Sequence, residues 1–175
     1  MGERDADEVS DMRNYVESIA NRVLENWEDV MEDLNATEEE YRKEGWETLS
    51  VMPGGVTPLT TSDISDTYGL DIVLPDNEFL ELEEVIEERD LNFDEFEVYK
   101  ARKSGIMFLV VVMMATDNKF ALLYPAYYDP SRSRGMMKEA IEKGEMKTHI
   151  RRLKNDKAIT FNHDDPSLFL PEDET

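Results

Sequence analysis

The chain has 175 residues, and its 41 acidic and 19 basic side chains give a formal net charge of −22 at pH 7. A chain of this length fits one domain with a substantial hydrophobic core. Because 40% of the residues are hydrophobic and fall in ordered patterns, the composition argues against a disordered chain. The lack of cysteine excludes disulfides and thiolate metal sites.

The negative charge is typical of two further classes, a protein adapted to concentrated salt and a mimic of nucleic acid. Self-repulsion destabilises a compact state in dilute buffer, whereas the screening length falls to about 3 Å at 1 M salt. We therefore predict a halophilic protein, with nucleic-acid mimicry as the alternative. The N-terminus lacks the basic start and apolar segment of a secretory signal, and the longest apolar run, residues 106–114, is too short to span a membrane. We expect a cytoplasmic protein without a membrane segment.

The N-terminal stretch, from about residue 7 to 34, predicts a long amphipathic helix because apolar residues recur at steps of three and four. A helix of this length extends about 40 Å, more than is needed to cover one small sheet. It either overhangs its sheet or forms a homodimer through its apolar stripe. Thr37 and Glu40 fit a capping box, so a second short helix begins there, or one helix continues to Glu44. The stripe consists of Val9, Met12, Val16, Ile19, Val23, Trp27, Val30 and Leu34.

The next segment predicts two strands separated by a mobile loop and followed by a helix. Residues 46–52 and 68–74 have strand patterns, whereas residues 53–63 are rich in Gly, Pro, Ser and Thr. The glycine pair in this loop lacks the lysine and the following helix of a phosphate-binding loop. Residues 77–89 predict a helix capped by Asp76, with a solvated acidic face. Its predicted apolar face consists of Phe79, Leu82, Val85 and Ile86.

The fold is organised around residues 93–128, which contain the apolar run. Val, Ile and Phe favour the extended chain, and the residues at 102–105 and 116–119 suit tight hairpins. This pattern predicts a three-stranded antiparallel meander whose central strand is covered on both faces.

The C-terminal third predicts a helix, a hairpin and one helical turn. Asp129 and Pro130 suit a helix start and Gly144 a helix end. Strands are expected at 146–153 and 157–161, and the cap-plus-proline pattern at Asp165 predicts the turn. The residues expected to face inward from the helix are Met136, Met137, Ala140 and Ile141.

These elements predict an α+β fold in which helices pack on one side of a mostly antiparallel sheet, in the order α-β-β-α-β-β-β-α-β-β. We divide the chain into an N-terminal helical segment (1–45), an α+β domain (46–171) that forms one folded unit with it, and a frayed acidic tail (172–175).

Basic residues are concentrated near the C-terminus. Residues 1–98 hold 6 basic and 30 acidic side chains, whereas residues 130–160 hold 9 basic and 4 acidic ones. These cations either pair with the acidic helices of the same chain or form a binding face for phosphate, nucleic acid or an acidic partner. Nearby tyrosines could stack bases on such a face. The candidate binding residues are Arg132, Arg134, Arg151, Arg152, Tyr127 and Tyr128.

The two histidines define a second candidate site. His149, His163 and Asp164 could ligate a metal or form an acid–base pair, but His163 and Asp164 are adjacent rather than convergent. No serine or threonine run has a partner that would activate a nucleophile. We therefore predict no catalytic residue, metal or cofactor. A non-enzymatic interaction or regulatory protein ranks first, a nucleic-acid- or ribosome-associated factor second, and an enzyme with a His149/His163 site third.

Four short strings also support a family resemblance that covers about residues 42–171. Together they resemble a family of small, acidic, uncharacterised proteins from haloarchaea. The resemblance implies a halophilic archaeal cytoplasm and carries no activity, ligand or site residue. The strings are Gly45-Trp46-Glu47-Thr48, Glu97-Val98-Tyr99, Thr148-His149-Ile150-Arg151-Arg152-Leu153 and His163-Asp164-Asp165-Pro166.

Overall fold

A computed structural model of the chain describes residues 2–62, 65–154 and 156–172, with side chains from residue 7 onward. Within these residues it contains three α-helices, eight strands and three short 3₁₀ turns. The helices are α1 (Gly2–Lys43), α2 (Asp76–Arg89) and α3 (Arg134–Lys143). The strands are β1 (Glu47–Ser50), β2 (Gly55–Leu59), β3 (Gly69–Leu74), β4 (Glu95–Lys103), β5 (Ile106–Ala115), β6 (Phe120–Tyr128), β7 (Met146–Arg152) and β8 (Ala158–His163).

The strands form two four-stranded sheets rather than the single sheet that the sequence suggested. Sheet A has the order β1-β6-β5-β4, and sheet B has the order β2-β3-β7-β8. One pair in each sheet is parallel, β1 with β6 and β3 with β7, and the other pairs are antiparallel. The predicted α+β class is confirmed. The expectation of one sheet is wrong because strand periodicity does not reveal which distant strands pair.

The meander is present as β4, β5 and β6, and every residue of β5 is buried. Ser104 (φ 52°) and Gly105 (φ 78°) form the two-residue turn between β4 and β5, and positive φ at both positions suits a right-twisted hairpin. A 3₁₀ turn over Thr116–Asn118 joins β5 to β6. Both predicted turn positions are therefore confirmed.

Two hydrophobic clusters cover the two faces of sheet A. Alternate residues of β5 point to opposite faces. Leu109 and Val111 belong to a cluster that includes Leu70 and Ile150 of sheet B together with residues of α2 and α3. The other face of β5 packs on α1. The second cluster consists of Val30, Leu34, Tyr41, Ile106, Phe108, Val110, Val112, Met114, Ala121 and Leu123.

Helix α1 is continuous from Gly2 to Lys43, so the interpretation of one helix that continues to about Glu44 is confirmed, and no second helix begins at Thr37. Thr37 does not cap a new helix, because its Oγ1 donates to the carbonyl oxygen of Asp33 at 2.8 Å inside α1. At 1.5 Å per residue the helix is about 60 Å long. Only part of this length lies over sheet A, because the packed apolar residues begin near Val23.

Strand β2 lies in the stretch that was predicted to be a loop. It pairs with β3 from Gly55 to Leu59 and forms an edge of sheet B. Proline has no N–H donor for the ladder. Pro58 is tolerated in β2 because one side of an edge strand makes no hydrogen bonds to a neighbouring strand. The glycine and proline content that predicted a loop reflects this edge position.

Several predicted helix ends and faces also change. Asp76 is the first residue of α2, and its N-cap Pro75 provides no side-chain hydrogen bond. Asp129 caps a 3₁₀ turn at Pro130–Arg132, and α3 begins only at Arg134. Ile141, predicted to face inward, is 48% exposed.

Other predicted ends of elements are confirmed. Gly144 ends α3 with φ 66°, and the side chain of Asp165 caps the 3₁₀ turn at Pro166–Leu168. Strand β8 extends two residues beyond its predicted end, to His163. Most of the predicted frayed tail, residues 173–175, lies outside the described residues.

Candidate functional site

The two histidines lie on opposite faces of sheet B. His149 pairs across the β7–β8 ladder with Thr160, whereas His163 pairs with Met146. Because residues 146 and 149 differ in parity, their side chains point to opposite faces of β7. The structure therefore does not bring His149 and His163 together.

His163 is a fully buried core residue. Its ring centroid lies 4.7 Å from that of Phe96 and 4.5 Å from that of Phe169. Its Nε2 is 3.0 Å from Thr148 Oγ1, which is 2.9 Å from the hydroxyl of Tyr124. The Nδ1 atom has no hydrogen-bond partner among the described residues. Burial lowers the pKa of His163 to about 4, so the ring is neutral in the folded protein near pH 7.

His149 faces away from the inter-sheet core and is held by three polar groups. Its Nδ1 is 2.9 Å from Thr160 Oγ1, and its Nε2 is 2.9 Å from the carbonyl oxygen of Tyr68 and 3.3 Å from Thr67 Oγ1. A proton on Nε2 satisfies the carbonyl, and Nδ1 then accepts from Thr160. Asp164, the third member of this candidate site, is exposed and follows the inward-facing His163.

Two of the four candidate arginines form ion pairs within the chain. Arg151 makes a bidentate pair with Asp71, with Nε–Oδ1 at 2.9 Å and Nη2–Oδ2 at 3.0 Å. Arg152 donates to Asp156 at 2.6 Å, and this hydrogen bond holds the pKa of Asp156 at about 2. These contacts support the interpretation that the basic residues pair with acids of the same chain.

The other two candidate arginines lie at or near the start of α3. The guanidinium carbon of Arg132 is 4.0 Å from the ring centroid of Tyr15 in α1, a cation–π contact. Arg134 is the first residue of α3. The four arginines are thus spread over β7, a 3₁₀ turn and a helix start, and three of them contact side chains of the same chain.

The candidate tyrosines point to opposite faces of β6. Tyr127 makes an edge contact with Trp27 of α1, with ring centroids 6.1 Å apart. The hydroxyl of Tyr128 donates to the carbonyl oxygen of Phe169 at 2.6 Å on the other face, where Tyr128 is buried. The structure therefore does not place them together as a stacking surface.

The N-terminal part of α1 extends beyond its docked part. Tyr15 donates to Asp129 Oδ2 at 3.3 Å, and Arg22 donates to the carbonyl oxygen of Ser104 at 3.1 Å. The apolar stripe is uncovered N-terminal to Tyr15 and at the adjacent Val16. We call Val9, Met12 and Val16, which are 58%, 61% and 57% exposed, the open stripe.

A groove lies between α1 and the edge strand β4, and the sequence did not reveal it. Its cavity has a volume of about 340 Å³. Ala36 of α1 and Ala101 of β4 line its two sides. These residues are far apart in the chain, so no local sequence pattern could have predicted the groove. We call it the α1–β4 groove; it is lined by Asp33, Ala36, Glu40, Ala101, Phe108 and Val110, among others.

Comparison with known proteins identifies a family. The model of a family of unknown function (DUF7529) matches residues 13–171. The chain belongs to this family. The match covers both sheets and confirms that the chain is one of a family of uncharacterised proteins, as the four strings suggested. No curated protein and no solved structure gives a match.

Neither a membrane-spanning helix nor a cluster of metal-binding side chains is present among the described residues. Among these residues, no helix is both long and apolar enough to cross a lipid bilayer. In the same part of the chain, no three His, Asp or Glu side chains are grouped so that they could hold a metal ion.

Proposed function

We propose that this chain is a non-enzymatic interaction protein whose contact element is the open stripe of α1, and that its partner is a second copy of the chain. The observation that carries the proposal is the exposure of Val9, Met12 and Val16. They continue the line of Val23 and Val30, which pack on sheet A. One face of the helix thus packs on sheet A at its C-terminal part, and among the described residues its N-terminal part is uncovered.

Burial of this face would be favourable. Covering a Val or Met side chain contributes about 1.5–3 kcal/mol relative to leaving it exposed. The gain comes from apolar contact, which concentrated salt does not screen. Such a contact suits the halophilic cytoplasm that the charge of −22 favours.

A second copy supplies a matching surface. In an antiparallel pair of α1 extensions, Met12 of one copy lies opposite Val16 of the other, and Val9 lies opposite Ile19. The contact is small compared with the roughly 1,200–2,000 Å² of a stable interface, so we expect a dimer that dissociates on dilution.

The test is sedimentation velocity of the full chain over a concentration series in molar KCl. We expect the wild type to shift from monomer to dimer, and the triple variant Val9→Gln, Met12→Gln, Val16→Gln to stay monomeric. Leu24→Gln is the matched control, because Leu24 is 72% exposed on α1 but lies off the open stripe. A wild type that is monomeric throughout, or a triple variant that dimerises normally, would contradict the proposal.

The nucleic-acid alternative has less support. Phosphate contacts weaken steeply as salt rises, and the contacts of Arg132, Arg151 and Arg152 within the chain compete with such binding. An enzyme using both histidines would need them in one site, but they point to opposite faces of β7 and β8.

A further inference from the structure

The α1–β4 groove has an apolar floor between two small walls. Phe108 and Val110 of β5 form the floor, and Ala36 of α1 and Ala101 of β4 line the sides. Helix α1 packs on β5 and β6 in the middle of sheet A, so the sheet is less covered toward its β4 edge. A larger side chain at residue 36 or 101 would fill the space.

Two carboxylates lie on the α1 side of the groove. Asp33 and Glu40 both line it and lie seven residues apart. Seven residues are two helical turns, so the two positions share one face about 10 Å apart. Among the residues that the structure describes, neither carboxylate has an ion-pair partner.

Lys100 and Lys103 also line the groove, and the charged groups of both contact other parts of the chain. Lys103 Nζ is 3.4 Å from Asp29 Oδ2. Lys100 Nζ donates to the carbonyl oxygens of Ser167 and Leu170, at 2.9 and 2.7 Å. Among the described residues, neither lysine forms an ion pair with Asp33 or Glu40, so both carboxylates remain available to a cationic ligand.

A third carboxylate, Glu97, lies beside the β4 wall. Its Oε2 accepts hydrogen bonds from Tyr41 at 2.7 Å and from Tyr99 at 2.9 Å. Burial, together with this hydrogen bond and the negative charges of Glu97, Glu40 and Glu44, raises the pKa of Tyr99 to about 12. The carboxylates of Glu97, Glu40 and Glu44 thus lie close enough to Tyr99 to contribute to this rise.

We propose that the α1–β4 groove binds a linear aliphatic diamine, with one ammonium group at Asp33, the other at Glu40, and the methylene chain on Phe108 and Val110. The volume is at the lower end of the range for small-molecule sites, about 300–1,000 Å³. Such a volume suits a small linear molecule better than a folded peptide segment. This site is separate from the open stripe and does not depend on it.

A single divalent cation would not satisfy the same groups. Carboxylates on helix positions about 10 Å apart cannot both reach one ion, which needs oxygen ligands at about 2.0–2.6 Å. The floor between them, formed by Phe108 and Val110, is apolar. A molecule with two separated positive ends and an apolar middle fits both the spacing and the floor.

The proposal can be tested by isothermal titration calorimetry with 1,5-diaminopentane, in the lowest KCl concentration that keeps the protein folded. We expect binding of the diamine, weaker binding of pentylamine and none of 1,5-pentanediol. Asp33→Asn and Glu40→Gln should each raise the Kd about tenfold, because each removes one charge-assisted contact. Ala101→Leu should abolish binding without a change in charge.

Matched variants separate this site from general attraction to an acidic protein. Glu25→Gln and Glu32→Gln remove the same charge from exposed positions of α1 outside the groove and should leave the Kd unchanged. If Ala101→Leu does not fold, Ala36→Met blocks the groove from an exposed position of α1. Equal losses in the control variants, equal affinity for pentylamine, or no binding of the diamine would overturn the proposal.

Discussion

At the scale of single residues, His163 occupies a position that an apolar side chain would ordinarily fill. It lies between Phe96 and Phe169, with one polar contact to Thr148 and an unpaired Nδ1. Its neighbour Asp164 suggested a polar site. The alternation of β8 is the better guide, because it places His163 on the same face as the buried Phe161.

Replacing His163 should change how stability depends on pH. The folded pKa is about 4 and the ordinary value is 6.5, so the unfolded chain binds the proton first as pH falls. The neutral His163 ring therefore contributes unfolding free energy that is present above pH 6.5 and is lost as pH falls toward 4. Relative to His163→Leu, we expect the wild type to lose about 2 kcal/mol between pH 7 and pH 5.

The measurement for His163 is thermal or urea unfolding of both proteins at the two pH values. Comparing the wild type with the variant cancels the contribution of the many carboxylates, which titrate in both. An equal difference in stability at pH 7 and pH 5 would show that His163 is not buried as a neutral ring.

The pair of Arg151 and Asp71 should be structural. Both side chains are largely buried, with 21% and 15% of their surfaces exposed, so Arg151→Gln leaves a carboxylate with poor solvation. We expect a loss of about 1–3 kcal/mol in unfolding free energy. Arg134→Gln is the control, since it removes the same charge at a helix start, where a cation is unfavourable. Equal stability of the two variants in chemical denaturation would contradict this role.

At the scale of elements, local patterns predicted some features and missed others for identifiable reasons. The apolar run and the turn at Ser104 and Gly105 made the meander predictable, since both signals lie within a few residues. The parallel pairs were not predictable, because Leu70 pairs with Thr148, nearly half the chain away. The α1–β4 groove was not predictable for the same reason, because Ala36 and Ala101, which line it, are far apart in the chain.

Strand β5 should not tolerate a charge. Val111 is fully buried in the cluster between the sheets, and Val111→Asp would place a carboxylate there without solvent or a partner. We expect a loss on the order of 5 kcal/mol, enough to prevent soluble expression. Asn162→Asp adds the same charge to an exposed strand position and should express normally. A soluble Val111→Asp protein that melts like the wild type would place the core elsewhere.

At the scale of the whole molecule, folding should depend on salt. The net charge is −22 on 175 residues, and mutual repulsion opposes the compact state until salt screens it. Circular dichroism over a KCl series should show helix and strand signal gained toward molar salt. A cooperative fold in dilute buffer that is unchanged at high salt would remove the argument for a halophilic source.

The parallel pairing of β3 with β7 affects the order in which the chain can fold during synthesis. Sheet A is complete once β6 has left the ribosome, but β3 then still lacks β7. Until β7 and β8 emerge, Leu109 and Val111 on the inner face of β5 lack part of their cover. Contacts between distant residues form slowly, and exposed apolar strands favour aggregation. During synthesis, sheet A can therefore be complete while the last quarter of the chain, which contains β7 and β8, has still to emerge.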